Sequence, residues 1–231
     1  MKVAARFFLK ASVGVALLPV LVGFLWAAAD VIGASLRLTE SMVACLAGGT
    51  LLLLVVRLFP KPWRTYVAGH ELTHATWAWL FGHKVKSIKV GATGGHVVLS
   101  DTNSLVTLAP YFFPLYAVAW AALAAVVEKM WPPAGNWLLL PAGFGFFYAF
   151  HVAMTLQVLR LRQPDIVSEG AIFSALVILV GNLVVGLLAG PQLAGSGSFL
   201  DGIQTGWFRT GQTLEFLVRL PDRINLPTAA P

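Results

Sequence analysis

Charged residues are scarce in this sequence, and their scarcity decides the broad class of the protein. Only 11% of the 231 residues are Asp, Glu, Lys or Arg, whereas 58% are hydrophobic. Soluble domains average about 25% charged residues. So few charges cannot cover the surface of a water-soluble globule, but a protein surrounded by lipid needs no such cover. The composition therefore excludes a soluble domain and predicts an integral membrane protein.

Cysteine is almost absent as well. The single residue, Cys45, lies in an apolar run and has no second cysteine with which to form an intrachain disulfide. Lys and Arg occur in short clusters between apolar runs, as is typical of loops that lie beside anionic headgroups. No basic stripe interleaved with aromatic residues is present, so we expect the lipid bilayer, and not nucleic acid, as a partner.

Apolar runs account for most of the chain, and each is close to the ~20 residues with which a helix crosses the hydrocarbon. We predict six transmembrane helices, at about residues 11–29, 41–59, 63–81, 104–127, 137–161 and 170–189. Residues 130–136, with two prolines and a glycine, predict a turn. The fold class is therefore an all-α polytopic membrane protein, with a single membrane-embedded domain at 1–190.

The two ends of the chain have a different character. The basic N-terminus precedes an apolar run without a clean cleavage site, which predicts an uncleaved first helix. The distribution of Lys and Arg favours a cytoplasmic N-terminus, and we expect the plasma membrane of a prokaryote. The tail at 191–231 is mildly amphipathic, which predicts a segment that lies at the membrane surface.

The stretch between the third and fourth apolar runs predicts strands. Residues 84–90 alternate partly between polar and apolar side chains, and a second β-rich run at 96–99 follows Gly94 and Gly95. Two short runs of this kind around a glycine turn predict a β-hairpin, over about residues 85–99.

Residues 70–74 read HELTH, which is an HExxH motif within the third apolar run. His70 and His74 are four residues apart, so a helix projects both imidazoles from one face, where they can bind one zinc ion. Glu71 lies beside the first histidine and can act as the base of a zinc hydrolase. Ionisable groups are costly in a membrane helix, so three of them within about one turn indicate a functional site.

A catalytic zinc needs a third protein ligand, and the sequence offers alternatives. Asp165 lies just before the sixth apolar run, and His151 lies inside the fifth. Glu169 is a weaker candidate, and we expect structural roles for His83 and His96. Residue types and spacing do not choose between Asp165 and His151.

The chain from Trp63 to about Gly190 resembles the site-2 protease family of intramembrane zinc metalloproteases. The shared features are the HExxH motif in an apolar helix, the hairpin that follows it, and a late aspartate. The resemblance implies that His70, His74 and Asp165 bind zinc and that Glu71 is the catalytic base.

The resemblance also implies the kind of substrate, a peptide bond of a membrane-associated protein. The late aspartate stands in a Pro-Asp-Ile context, whereas the family has Leu-Asp-Gly, and the family's Asn-Pro element is missing. Asn182 and the hairpin at 85–99 are the remaining candidates for substrate binding. An unwound substrate can pair with a free strand edge of that hairpin.

Other functions compete with the metalloprotease hypothesis. A membrane scaffold or chaperone can keep the same fold without turnover, and a small cation transporter can use a cluster of histidine and aspartate as its path. The HExxH motif argues against the transporter, because an ion path needs no base beside its ligands.

Overall fold

A computed structural model describes residues 2–34, 39–91, 94–130 and 138–224. The turn predicted at 130–136 lies, apart from Met130, outside the described residues. Two strands are present, β1 (Val85–Val90) and β2 (Gly95–Leu99). The helices are α1 (Lys2–Ala34), α2 (Glu40–Leu58), α3 (Trp63–Leu80), α4 (Ser104–Leu108), α5 (Leu115–Met130), α6 (Leu139–Val158), α7 (Pro164–Glu169), α8 (Ala171–Leu193) and α9 (Phe199–Ile224).

Four helices within the described ranges are long and apolar enough to cross a membrane. They are Phe7–Gly33 of α1, α2, α6 and α8. A bent pair, Ser104–Tyr111 with Leu115–Val127, makes a fifth if it counts as one span. Large apolar side chains on these helices are exposed, as is suitable for contact with lipid. The structure thus agrees with an integral membrane protein, but α3 is not among these helices and the count of six stays a prediction.

The bend in the fourth predicted span has a clear cause in the sequence. Asn103 caps α4, and its side chain accepts hydrogen bonds of 3.0 Å from the backbone N–H groups of Leu105 and Val106. The chain then passes through a 3-10 turn at Ala109–Tyr111, and Pro114 precedes α5. The two halves meet at 81°. Because proline lacks a backbone N–H, a straight helix cannot continue through this segment.

One compact unit contains α1, α9 and the part of α8 from Leu179 onward. Gly206 of α9 lies against the ring of Phe24, where an added Cβ would come within 2.9 Å of the ring. Phe24, Ala27 and Leu187 form the buried core of this unit. The amphipathic tail predicted from the sequence therefore contains a long helix, which packs on α1.

The second unit contains α2 to α7, the hairpin and the beginning of α8. Small residues let the backbones of α2 and α6 touch: a Cβ at Gly48 would lie 1.9 Å from the carbonyl oxygen of Ala142. A Cβ at Gly145 would lie equally close, 1.9 Å, to the carbonyl oxygen of Cys45. Close approach at small residues is a common way for membrane helices to associate.

The end of α3 directs the chain into the hairpin. Gly82 has a φ of +76°, which glycine adopts without steric cost. Its N–H donates to Trp79 O at 3.0 Å, and the His83 N–H donates to Ala78 O at 2.8 Å. This pair of bonds is a Schellman motif, which ends α3 and turns the chain towards β1.

The hairpin predicted between the third and fourth apolar runs is confirmed. β1 and β2 pair antiparallel, with Ile88 opposite Val97 and Lys89 opposite His96. An irregularity between Val85 and Ser87 interrupts the register. The hairpin packs against α3, the helix that carries the HExxH motif.

Candidate metal centre

Three potential ligands converge between α3 and α7. The Oδ2 atom of Asp165 lies 3.5 Å from Nε2 of His70 and 3.6 Å from Nε2 of His74. One ligand atom from each residue lies within 4.8 Å of the other two, so the group could hold a metal ion. The structure thus brings Asp165, and not His151, to the two imidazoles of the HExxH motif.

The spacing of these atoms suits zinc. Two ligands bound tetrahedrally at ~2.0–2.1 Å from zinc lie about 3.3 Å apart. The two distances from Asp165 to the imidazoles, 3.5 and 3.6 Å, exceed that value by only a few tenths of an ångström. Two imidazoles and one carboxylate are also the kind of donor set that catalytic zinc sites use, with a fourth position left for water or substrate. The residues present therefore fit a catalytic zinc ion.

Each of the three side chains has a further partner that orients it. Nδ1 of His74 lies 2.8 Å from the carbonyl oxygen of Val106, so this nitrogen donates and leaves Nε2 free for a metal. The Tyr111 hydroxyl donates to Oδ2 of Asp165 at 2.9 Å. The Tyr66 hydroxyl lies 3.5 Å from Nδ1 of His70. Outer hydrogen bonds of this kind fix the ring orientation and basicity of metal ligands.

The short helix α7 holds Asp165 in place. Pro164 occupies the first position of the helix, where its missing N–H costs nothing. At the other end, the Ser104 hydroxyl donates to the carboxylate of Glu169, which ties α7 to α4. Glu169, the weaker candidate for third ligand, is therefore an acceptor for Ser104 and is not part of the three-residue group.

The immediate surroundings keep Asp165 ionised. Burial raises the pKa of its carboxyl, but the interactions with His70, His74 and the Tyr111 hydroxyl outweigh burial. The net result is a pKa well below the ordinary value of an aspartate. Asp165 is thus anionic at neutral pH, as a ligand for a divalent cation must be.

Glu71 lies in the wall of a polar cavity beside the three ligands. The cavity opens to solvent and has about 680 Å³ of space including its open mouth, and Glu71, His74 and Asp165 all line it. Only 6% of the Glu71 surface is exposed. A carboxylate and two of the three metal ligands therefore face one space that can admit a substrate.

Strand β2 forms another wall of the same cavity and packs against the side chain of Glu71. A Cβ at Gly95 would lie 2.8 Å from Cγ of Glu71 and 2.9 Å from Cγ1 of Val67. Such distances are well inside ordinary van der Waals contact, so only glycine fits without displacement of its neighbours. The hairpin thus limits where the Glu71 side chain can go.

The other residues selected from the sequence occupy separate places. His96 belongs to β2 and borders the Glu71 cavity. His83 follows Gly82 at the end of α3, and its ring stacks on Phe81 at a centroid distance of 6.5 Å. His151 is buried in α6 and lines a different cavity, which it shares with His70. Asn182 lies within α8.

Three residues of the site were missed by reasoning from the sequence. Tyr66, Gly95 and Tyr111 contact the metal ligands or the base, but each stands in a segment where an aromatic residue or a glycine has an ordinary structural explanation. The available signals were weak: Gly95 belongs to a Gly-Gly pair, and Tyr111 follows a proline inside an apolar run.

No protein-family model, curated protein or solved structure matches this chain significantly.

Proposed function

We propose that this protein is an intramembrane zinc metalloprotease, which hydrolyses peptide bonds of membrane-associated substrates. One observation carries the proposal: a carboxylate that can act as a base, Glu71, lines one cavity together with His74 and Asp165, two of the three residues suited to zinc. A cation path or a purely structural metal site has no need of a base at that position.

His70, His74 and Asp165 would hold the zinc ion. When bound, zinc supplies Lewis acidity, which polarises the peptide carbonyl and makes water more acidic. Glu71 accepts a proton from the attacking water on a carboxylate oxygen, while the water oxygen adds to the carbonyl carbon. Glu71 then returns this proton to the amide nitrogen, and the C–N bond breaks to give a carboxylic acid and an amine, and the acid proton then passes to the amine.

The surroundings of Glu71 support this role. Its side chain is nearly buried, and the tight contact with Gly95 restricts its position. A base that is held in place before the substrate arrives loses little freedom in the reaction, which favours the rate. The hairpin that forms this wall is also the candidate surface for binding an unwound substrate strand.

We further infer that the chain lies in the plasma membrane of a prokaryote with its N-terminus in the cytoplasm. The four candidate spans support membrane insertion. Six crossings require that α3 and the bent pair both span. Water must then reach the cavity beside α3, and the polar residues Thr102 and Thr107 in its wall are suited to a hydrated entrance.

The decisive experiment separates hydrolysis from metal binding. We would purify the wild type and Glu71→Gln in mild detergent and measure zinc content together with cleavage of a panel of synthetic transmembrane peptides, by mass spectrometry. We expect Glu71→Gln to keep its zinc and to lose cleavage by about 10²-fold or more, since general base catalysis contributes about 10²–10⁴-fold.

The matched control is Glu40→Gln, which makes the same substitution at an exposed glutamate in the first turn of α2. This variant should retain both zinc and activity. A zinc-loaded wild type that cleaves none of the peptides, or a Glu71→Gln variant that cleaves as fast as the wild type, would contradict the proposal. In the first case, a scaffold that keeps the metal site becomes the better account.

A further inference from the structure

A second cavity lies on the Nδ1 side of His70, between α3, α5 and α6. It has room for about one water molecule, and its lining includes Tyr66, His70, Tyr116, Phe150 and His151. It is distinct from the cavity that contains Glu71, since the two share no lining residue. Nothing in the proposed hydrolysis uses this second cavity.

Two polar side-chain atoms of α6, Nε2 of His151 and Oγ1 of Thr155, are buried without a hydrogen bond of normal geometry to another described residue. His151 lines the cavity, whereas Thr155 lies one turn further along α6, where its hydroxyl interacts with that of Tyr66. The two residues are 9% and 5% exposed, and a spacing of four puts them on the same face of α6. Leaving a buried polar group without a partner is costly. A water molecule that bonds to several such groups removes this cost, and the cavity has room for one.

Tyr66 connects this place to the metal centre. Its hydroxyl lies 3.5 Å from Nδ1 of His70, and both side chains line the cavity together with His151. When Nδ1 of His70 donates to the Tyr66 hydroxyl, the hydroxyl proton needs an acceptor of its own. His151 and Thr155 are the acceptors that α6 supplies on this side.

We propose that His151 and Thr155, with a water molecule bound in this cavity, form the outer hydrogen-bonding partners of Tyr66 and thereby hold His70 in the orientation that binds the metal. They are positioning residues, since neither touches the three-ligand group. This assignment rests on the proposed function, because it gives α6 a role in the same zinc site. It differs from a ligand role for His151, which would require His151 to replace Asp165.

The test compares two substitutions of opposite character at one position. His151→Gln keeps a polar group that can donate and accept, whereas His151→Phe fills the space with an apolar ring. We would measure the zinc dissociation constant by competition with a chromophoric chelator and the visible spectrum of the Co²⁺-substituted protein. Tyr148→Phe, which removes a hydroxyl from the same helix three residues earlier, is the matched control. Thermal unfolding checks that each variant is folded.

We expect His151→Phe to weaken zinc binding by about tenfold or more and to alter the Co²⁺ spectrum, as loss of an outer partner does at other metal sites. His151→Gln should restore most of the affinity, and Tyr148→Phe should match the wild type. Tyr66→Phe should weaken binding similarly, and the double variant with His151→Phe should be less than additive, because both act through one network.

Two outcomes would overturn the inference. One is equal zinc affinity and an unchanged Co²⁺ spectrum in His151→Phe. The other is the reverse order, with Phe tolerated and Gln harmful, because that order indicates apolar packing. Failure of the protease proposal would look different. In that case the zinc affinities of the variants would follow the predicted order, but the protein would cleave no peptide.

Discussion

Gly95→Ala offers a sharp test of how the hairpin and the base are coupled. An alanine Cβ at this position would lie 2.8 Å from Cγ of Glu71 and 2.6 Å from the carbonyl oxygen of Lys89. Carbon atoms pack best at about 3.5–4.0 Å, so the Glu71 side chain must retreat by roughly 0.7 Å or more. A displacement of about 1 Å in a catalytic group can cost about 10²-fold in rate. We therefore expect peptide cleavage to fall by about 10- to 100-fold.

Zinc binding should survive this substitution, because the three atoms nearest to the added Cβ belong to Lys89, Glu71 and Val67 and not to His70, His74 or Asp165. The assay is peptide cleavage together with zinc content in the wild type, Gly95→Ala and Gly94→Ala. The neighbouring variant is the control, since a Cβ at Gly94 meets nothing within 4 Å. Full activity in Gly95→Ala would show that the hairpin does not determine the position of Glu71. Parallel loss of zinc and activity would show that the whole site had collapsed.

Other substitutions test the outer partners and the helix packing. Tyr111→Phe removes the hydroxyl that donates to Asp165 at 2.9 Å, and we expect zinc affinity to fall by about tenfold in a chelator competition assay. An unchanged affinity would contradict this role. Gly48→Ala places a Cβ 1.9 Å from the carbonyl oxygen of Ala142, and we expect destabilisation of about 1–3 kcal/mol or more, seen as a lower Tm in detergent. Gly186→Ala, whose Cβ meets nothing within 4 Å, should not lower the Tm.

Local structure near the motif was well predicted from the sequence. The helix expected at 63–81 is α3 (Trp63–Leu80), and it ends at Gly82 because that residue takes a positive φ. The hairpin followed from two β-rich runs around glycines. In each case neighbouring residues determine the structure, so a short window of sequence contains the necessary information.

Which residue lies beside the two imidazoles as a third candidate ligand depends on contacts between distant parts of the chain. Asp165 and His151 are both chemically able to bind zinc, and both lie far from the motif in sequence. The hydrogen bond between Ser104 and Glu169 ties α7 to α4, and this tertiary contact helps to bring Asp165 to the imidazoles. No periodicity or spacing encodes such a contact, so the sequence left both candidates open.

The role of Gly95 shows a different limit. The Gly94-Gly95 pair predicts a turn, and Gly94 does accept a hydrogen bond of 2.9 Å from the Gly91 N–H. At Gly95, however, a side chain has no room, because Glu71 of α3 lies against this position. A glycine that allows a turn and a glycine that allows close packing look the same in sequence.

The proposed binding of one zinc ion by His70, His74 and Asp165 can be tested by the zinc content of the purified chain. We would measure zinc per chain by atomic absorption in the wild type and in Asp165→Ala, with Asp201→Asn as a control outside the site. We expect about one zinc in the wild type and in the control, and little in Asp165→Ala. A folded wild type that stays free of metal after zinc addition, or an Asp165→Ala variant that keeps its full zinc content, would contradict the proposed binding.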